Sequence, residues 1–204
     1  MRAIIIILLL GFFIPVPLAA APAWNRDSYK VIDHTSFRKA EVFNRKIDYA
    51  EIDYALLNAA IFFLTNEQRV KKKLKPLKYV PELEIMAWHH SKQMAERRFF
   101  SHTNSRDKKR RDADDRAKLA GITNPSIAEN IAYSTEEQET YMEVAAMLVK
   151  LWMNSKGHRE NILSKDALQL GCGAYYHKGT WHGTQNFQWY SSVKTEGGGV
   201  DQLP

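Results

Sequence analysis

The sequence predicts an α+β domain, and three observations carry that expectation. Apolar residues recur at three and four through several long stretches, the spacing of helices with one buried face. Near the C-terminus the period drops to two on both sides of Lys178-Gly179, the pattern of an antiparallel hairpin. Cys172 is the sole cysteine, so no intramolecular disulfide can staple the fold and packing must hold it.

The chain opens on Met1-Arg2, a positive end, followed by an apolar run from Ile4 to Ile14 that is too short for an ordinary bilayer span. Small residues then precede Trp24. Residues 1–23 are therefore expected to be a signal peptide, cut after Ala23, which places the mature protein in a secreted or periplasmic setting. No cysteine stands near this leader to be acylated, and no second apolar run of spanning length follows, so no transmembrane span is expected after cleavage.

Residues 24–45 mix charge, Asn and Ser without a sustained period and read as a linker or an N-terminal strap. The domain is expected over 46–193, with a flexible tail at 194–204 around Gly197-Gly198-Gly199. Its first helix should begin near Ile47, bury Ile52, Leu56, Ala59, Ala60 and Phe63, and run to Lys71-Lys72-Lys73 before Pro76 stops it. Those lysines read first as a solvated helix end favoured by the macrodipole, with an anionic surface site as the lesser alternative. A second helix from Pro81 to Arg97 has a Pro and acids in its first turn and buries Leu83, Met86, Ala87, His90 and Met94. His90 reads as a hydrogen-bonded core histidine and His89 as a surface one; about 100° apart on a helix, they cannot chelate one ion.

Net charge is +6, from 29 basic and 23 acidic residues, which permits an anionic partner but more often serves solubility. Basic and acidic residues interleave through 106–120 with no aromatic among them, so nucleic acid is not an expected partner. Leu119-Ala120-Gly121 ends that helical stretch. Glu136, Glu137 and Glu139 read as the acidic start of a helix reaching Trp152. The hairpin follows, alternating through Leu168–Tyr176 and Trp181–Trp189, with His177 and His182 exposed beside its turn and Cys172 buried and unreactive.

The segment from Trp152 to Leu163 concentrates the functional signal. It closes an apolar helix, turns at Gly157 and restarts with His158 near the beginning of a short helix. Phe99-Phe100 likewise anchors the loop that carries His102, which reads equally as a site residue or a solvated one. Glu129, between apolar flanks, is either exposed or must find partners.

Four segments in one order, Phe99–Thr103, Ala128–Ala132, Trp152–Leu163 and Thr184–Phe187, resemble the signatures of the CAP superfamily of cysteine-rich secretory, antigen 5 and pathogenesis-related proteins, most closely its bacterial SCP-like extracellular domain. The resemblance covers about residues 54–193. It implies an α-β-α sandwich with a central antiparallel sheet, and a cleft lined by His102, His158, Glu129 and a second acid, Asp115 or its neighbour Asp114. In some members such a cleft binds a divalent metal, which here implies His102 and His158 as ligands and zinc or a related ion. Ala128 stands where the family has Gly, and Lys156 where Pro is common.

The implied function is an exported, monomeric binding module for an extracytoplasmic lipid, glycan or peptide. The alternative is a metal-assisted hydrolase with Glu129 as general base; Ser101 and Ser155 lack a nucleophile turn. An inert adhesive domain is the third class.

Overall fold

In the computed structural model, residues 24–203 are described; the leader assigned to 1–23 lies outside them. Five helices and four strands follow in order: α1 (Tyr54–Lys71), β1 (Lys78–Tyr79), α2 (Pro81–Arg97), α3 (Ala113–Ala120), β2 (Ile127–Ser134), α4 (Tyr141–Asn154), α5 (Lys156–Ile162), β3 (Gln169–His177) and β4 (Thr180–Gln188). The sheet order is β1-β3-β4-β2. β3, β4 and β2 pair antiparallel, whereas β1 adds two residues parallel to β3. Helices α1, α4 and α5 lie against one face of the sheet, α2 and α3 against the other, which makes the expected sandwich.

α1 starts seven residues later than its periodicity implied, because Asp53 accepts a hydrogen bond from Leu56 N at 2.9 Å and caps it there. Ahead of it, Trp24, Phe37 and Phe43 join Phe63, Leu56 and Trp152 in the main core. Residues 24–44 thus form short helical turns packed onto the domain, with Phe37 and Phe43 fully buried. α4 begins at Thr140 and not in the acidic run before it. Thr140 and Glu143 form a reciprocal capping box, with Glu143 Oε2 3.0 Å from Thr140 N, and this outcompetes any start at Glu136 or Glu137.

The break between α4 and α5 also differs from expectation. Ser155, extended at φ −89° and ψ 129°, makes the turn; Gly157 lies inside α5 without a left-handed backbone and faces open space. At the hairpin tip Lys178 and Gly179 both take positive φ, 48° and 81°, as a two-residue turn with the right twist requires. His177 and His182 are half-buried and not exposed, His182 lying over the Tyr133 ring.

α2 crosses β3 at very short range. A Cβ at Gly171 or Gly173 would lie 2.1 Å from Glu84 N or Trp88 N, so these glycines set the layer spacing. Glu84, expected merely to complement the helix start, is buried, with Asn58 Nδ2 at 3.1 Å and the Tyr79 hydroxyl as partners. The tail, expected to be flexible, makes contacts with the domain. Thr195 N donates to Gly121 O at 2.8 Å, Val200 N to Leu119 O at 2.9 Å, and the buried Asp201 pairs with Arg110, so it lies along the end of α3.

Candidate functional site

Four elements meet around Glu129. α2 ends where Arg98 adopts a left-handed backbone at φ 54°, and the chain turns into the loop carrying His102. Asn104, buried at the base of that loop, receives a hydrogen bond at 3.2 Å from Arg106 N and donates to Gln93 Oε1 at 2.9 Å, which fixes the loop against α2. β2 places Glu129 on the sheet, α3 supplies Arg116, and β4 supplies Asn186 opposite Glu129 in register.

The Glu129 side chain is 4% exposed, so its charge needs compensation. Arg116 Nη2, itself 2% exposed, donates to Oε2 at 2.7 Å. His102 Nδ1 lies 3.0 Å from Oε1. With its amide nitrogen turned to the carboxylate, Asn186 donates to Oε2 at 3.2 Å. Burial alone would raise the Glu129 pKa, but the His102 hydrogen bond and the Arg116 charge outweigh it, and the carboxyl sits below its ordinary value. An ionised carboxylate can only accept, so His102 Nδ1 carries the proton in that contact. This leaves Nε2 of a side chain that is 55% exposed free to meet a ligand.

Behind them His90 is fully buried, its Nε2 3.1 Å from Ser101 O and 3.7 Å from Glu129 Oε1. Burial lowers its pKa to about 4, so the ring is neutral at physiological pH. Burial and then the neighbouring His102 also lower that of His158. His158 is placed through its backbone: Asn130 Nδ2 donates to His158 O at 3.0 Å, and Asn161 Nδ2 donates to Asn130 Oδ1 at 2.9 Å. Asn130 also donates to Gln185 Oε1 at 3.0 Å, and Gln185 to Thr65 Oγ1 at 2.7 Å, a buried chain tying α5 through the sheet to α1.

The family model described as the cysteine-rich secretory protein family, CAP, matches residues 62–193. The chain belongs to the CAP family. Among its relatives, YkwD of Bacillus subtilis is 36% identical over 124 residues, covering 61% of this chain and 44% of that protein. The B. subtilis membrane protein YlbC is 35% identical over 130 residues, covering 62% and 33%. The chain thus spans less than half the length of either. An SCP-domain extracellular protein of Bacillus anthracis superposes with a TM-score of 0.53 at 31% identity, covering 68% of this chain and 42% of that one. An outer surface protein of Borrelia burgdorferi shares the fold at a TM-score of 0.55 and 19% identity, covering 74% and 98%.

Within this CAP domain the residues singled out from sequence take unequal places. His102 and Glu129 are in contact, and His102 is also the neighbour that, after burial, lowers the pKa of His158. Asp115 is engaged elsewhere: its Oδ2 accepts from Asp112 N at 3.4 Å in the capping box of α3, and Oδ1 faces Lys118 at 3.9 Å. Asp114 is exposed. The α3 residue that meets Glu129 is Arg116, which sequence reading passed over. Its signal was available, since an arginine beside Ala117 and four before Ala120 lies on the apolar face of its helix.

A zinc site in an enzyme ordinarily takes three protein ligands. Here Glu129 is already held by Arg116 and His102, and among the described residues no group of three or more His, Cys, Asp or Glu side chains is placed to hold a metal. Two imidazoles do not make a resident zinc site by themselves, so the residues present do not fit one.

Proposed function

We propose that this CAP-family protein is exported and works as a binding module, taking an uncharged, hydroxyl-rich ligand of the glycan class at the face formed by His102, Glu129 and His158. The observation that carries this reading is the 3.0 Å contact of His102 Nδ1 with Glu129, whose other oxygen is held by Arg116. The carboxylate orients the ring and the ring offers Nε2 outward. An outward-facing imidazole nitrogen suits a hydroxyl partner.

An exposed aromatic pair supports the same class. Phe100, two residues before His102, is 46% exposed, and Tyr133, on the Glu129 face of β2, is 55% exposed; their rings meet edge to face at 4.9 Å. Such rings offer flat apolar area at little entropic cost, and the Tyr133 hydroxyl adds a polar tip. Hydrolysis with Glu129 as general base fits less well. A general base works best with a pKa near the working pH, and Glu129 is pushed the other way with both oxygens occupied.

The test is calorimetric titration of soluble cell-wall glycan fragments into the mature protein and its variants. His102→Ala and Tyr133→Ala should each weaken binding at least ~10-fold, the scale of losing one central contact. Unchanged affinity in both variants removes this face from function, and preference for lipid or peptide over glycan overturns the ligand class.

A further inference from the structure

A cavity lies at the β1 edge of the sheet, near the end of α1. It measures about 500 Å³ and is lined by Arg69, Lys73, Lys75, Lys78 and Lys165, with no carboxylate and no aromatic side chain in its wall. Its volume falls within the range of small-ligand sites. The four lysines are exposed, and none makes an ion pair among the described residues, whereas the neighbouring Lys71 is bound to Glu67 at 2.7 Å. An anion entering the cavity would meet these cations with no carboxylate of the wall competing for them.

The cavity is also built, not a chance meeting of loose side chains. Arg69, 2% exposed, donates from Nε to Lys75 O at 3.0 Å and from Nη1 to Ile162 O at 2.7 Å and Ser164 O at 2.8 Å. One buried guanidinium therefore clamps together the two loops that carry Lys73, Lys75 and Lys165. Lys73 sits at φ 60°, where a side chain costs about 1 kcal/mol and glycine is the usual occupant. That backbone closes α1, with Leu74 N on Arg69 O at 3.0 Å, so the helix end fixes where Lys73 leaves the chain.

We infer that this cavity binds a phosphate-bearing polyanion of the polyol-phosphate type, in which phosphodiesters alternate with hydroxylated linkers. Four point charges exceed what one carboxylate could neutralise and suit successive phosphates. Ser191 in the same wall, and the amide nitrogen of Gln169, whose oxygen is held by Ser192 N at 3.0 Å, offer partners for linker hydroxyls. Without an aromatic platform nucleic acid bases have nothing to stack on, and the concave wall suits a chain better than a flat membrane.

The probe is a poly(glycerol phosphate) oligomer titrated into the mature protein. Binding should fall roughly 50-fold between about 50 and 200 mM salt, as expected for four released counterions on a single chain. The pair Lys75→Glu/Lys165→Glu should lose at least ~10-fold, and Lys75→Gln/Lys165→Gln an intermediate amount, with thermal unfolding unchanged in both. Lys108→Glu/Lys109→Glu, the same charge change on another surface, should keep wild-type affinity. So should His102→Ala, which separates this site from the glycan face. Equal losses in the two charge-reversed pairs would reduce the effect to net charge and overturn the site. Tighter binding to single-stranded DNA or anionic vesicles than to the oligomer would overturn the ligand class.

Discussion

Arg116 Nη2 stands 2.7 Å from Glu129 Oε2, with the two side chains only 2% and 4% exposed. A buried pair of this kind is worth little against an apolar substitute but is expensive to break from one side. Arg116→Met should therefore destabilise the fold by about 3–5 kcal/mol, because Glu129 is left charged without its main partner. Arg116→Met/Glu129→Gln should recover most of that loss. Urea unfolding of the four proteins completes the cycle, and additive losses would mean that the pair is not coupled.

Acid should weaken the fold before Glu129 itself titrates. His90 is held neutral down to about 4, whereas an unfolded chain takes up that proton near the ordinary value. Between about 6.5 and 4 the unfolded state thus binds more protons, and stability should fall by up to about 3 kcal/mol as pH drops. Glu129, whose folded pKa is lowered, adds stability above its unfolded pKa that is lost as pH falls through its folded value. His90→Leu should flatten the upper part of the profile and keep the lower; equal slopes from 6.5 to 4 in both proteins would refute the assignment.

The long amphipathic helices and the hairpin were legible because period alone specifies which face is buried. α2 starts where its Pro and acidic first turn placed it, and runs to Arg97 as expected. Boundaries set by competing caps were not: the acids before α4 resemble a helix start, yet Thr140 and Glu143 decide the matter locally. His102 and Glu129 could be brought together from sequence only through the family resemblance, since 27 positions separate them. Arg116 and Asp115 show the same limit from the other side. Adjacent on one helix, they point in different directions, and only the sheet beneath decides that the arginine meets the cleft. The contacts of the tail were not legible either, because three glycines carry no pattern, while its backbone amides find carbonyls at the end of α3.

Asn130 should control His158 without touching its ring. Its amide joins His158 O, Asn161 and Gln185, so Asn130→Ala leaves several buried groups unpaired and should cost about 2–3 kcal/mol. With α5 released, the His158 ring should gain solvent and its pKa should rise toward the ordinary value, the reverse of the lowering that burial imposes. Proton NMR titration of the histidines checks this. An unchanged His158 titration in a folded Asn130→Ala protein would assign the placement of α5 to other contacts.

Two glycines should respond oppositely to the same substitution. At Gly173 a Cβ would meet Trp88 N at 2.1 Å and Ala87 C at 2.5 Å, both helix backbone that cannot rotate aside. Gly173→Ala must lift α2 from the sheet, and overpacking of this kind should cost at least about 3 kcal/mol. Because α2 leads into the His102 loop, the lift should also loosen the His102–Glu129 contact and weaken glycan binding. Gly157, inside α5 with nothing within 4 Å, carries no such constraint. Gly157→Ala should stabilise by roughly 0.5–1 kcal/mol through the lower entropy of the unfolded chain. Thermal unfolding of the two variants should move in opposite directions; a neutral Gly173→Ala would mean that the α2–β3 spacing is not set by that glycine.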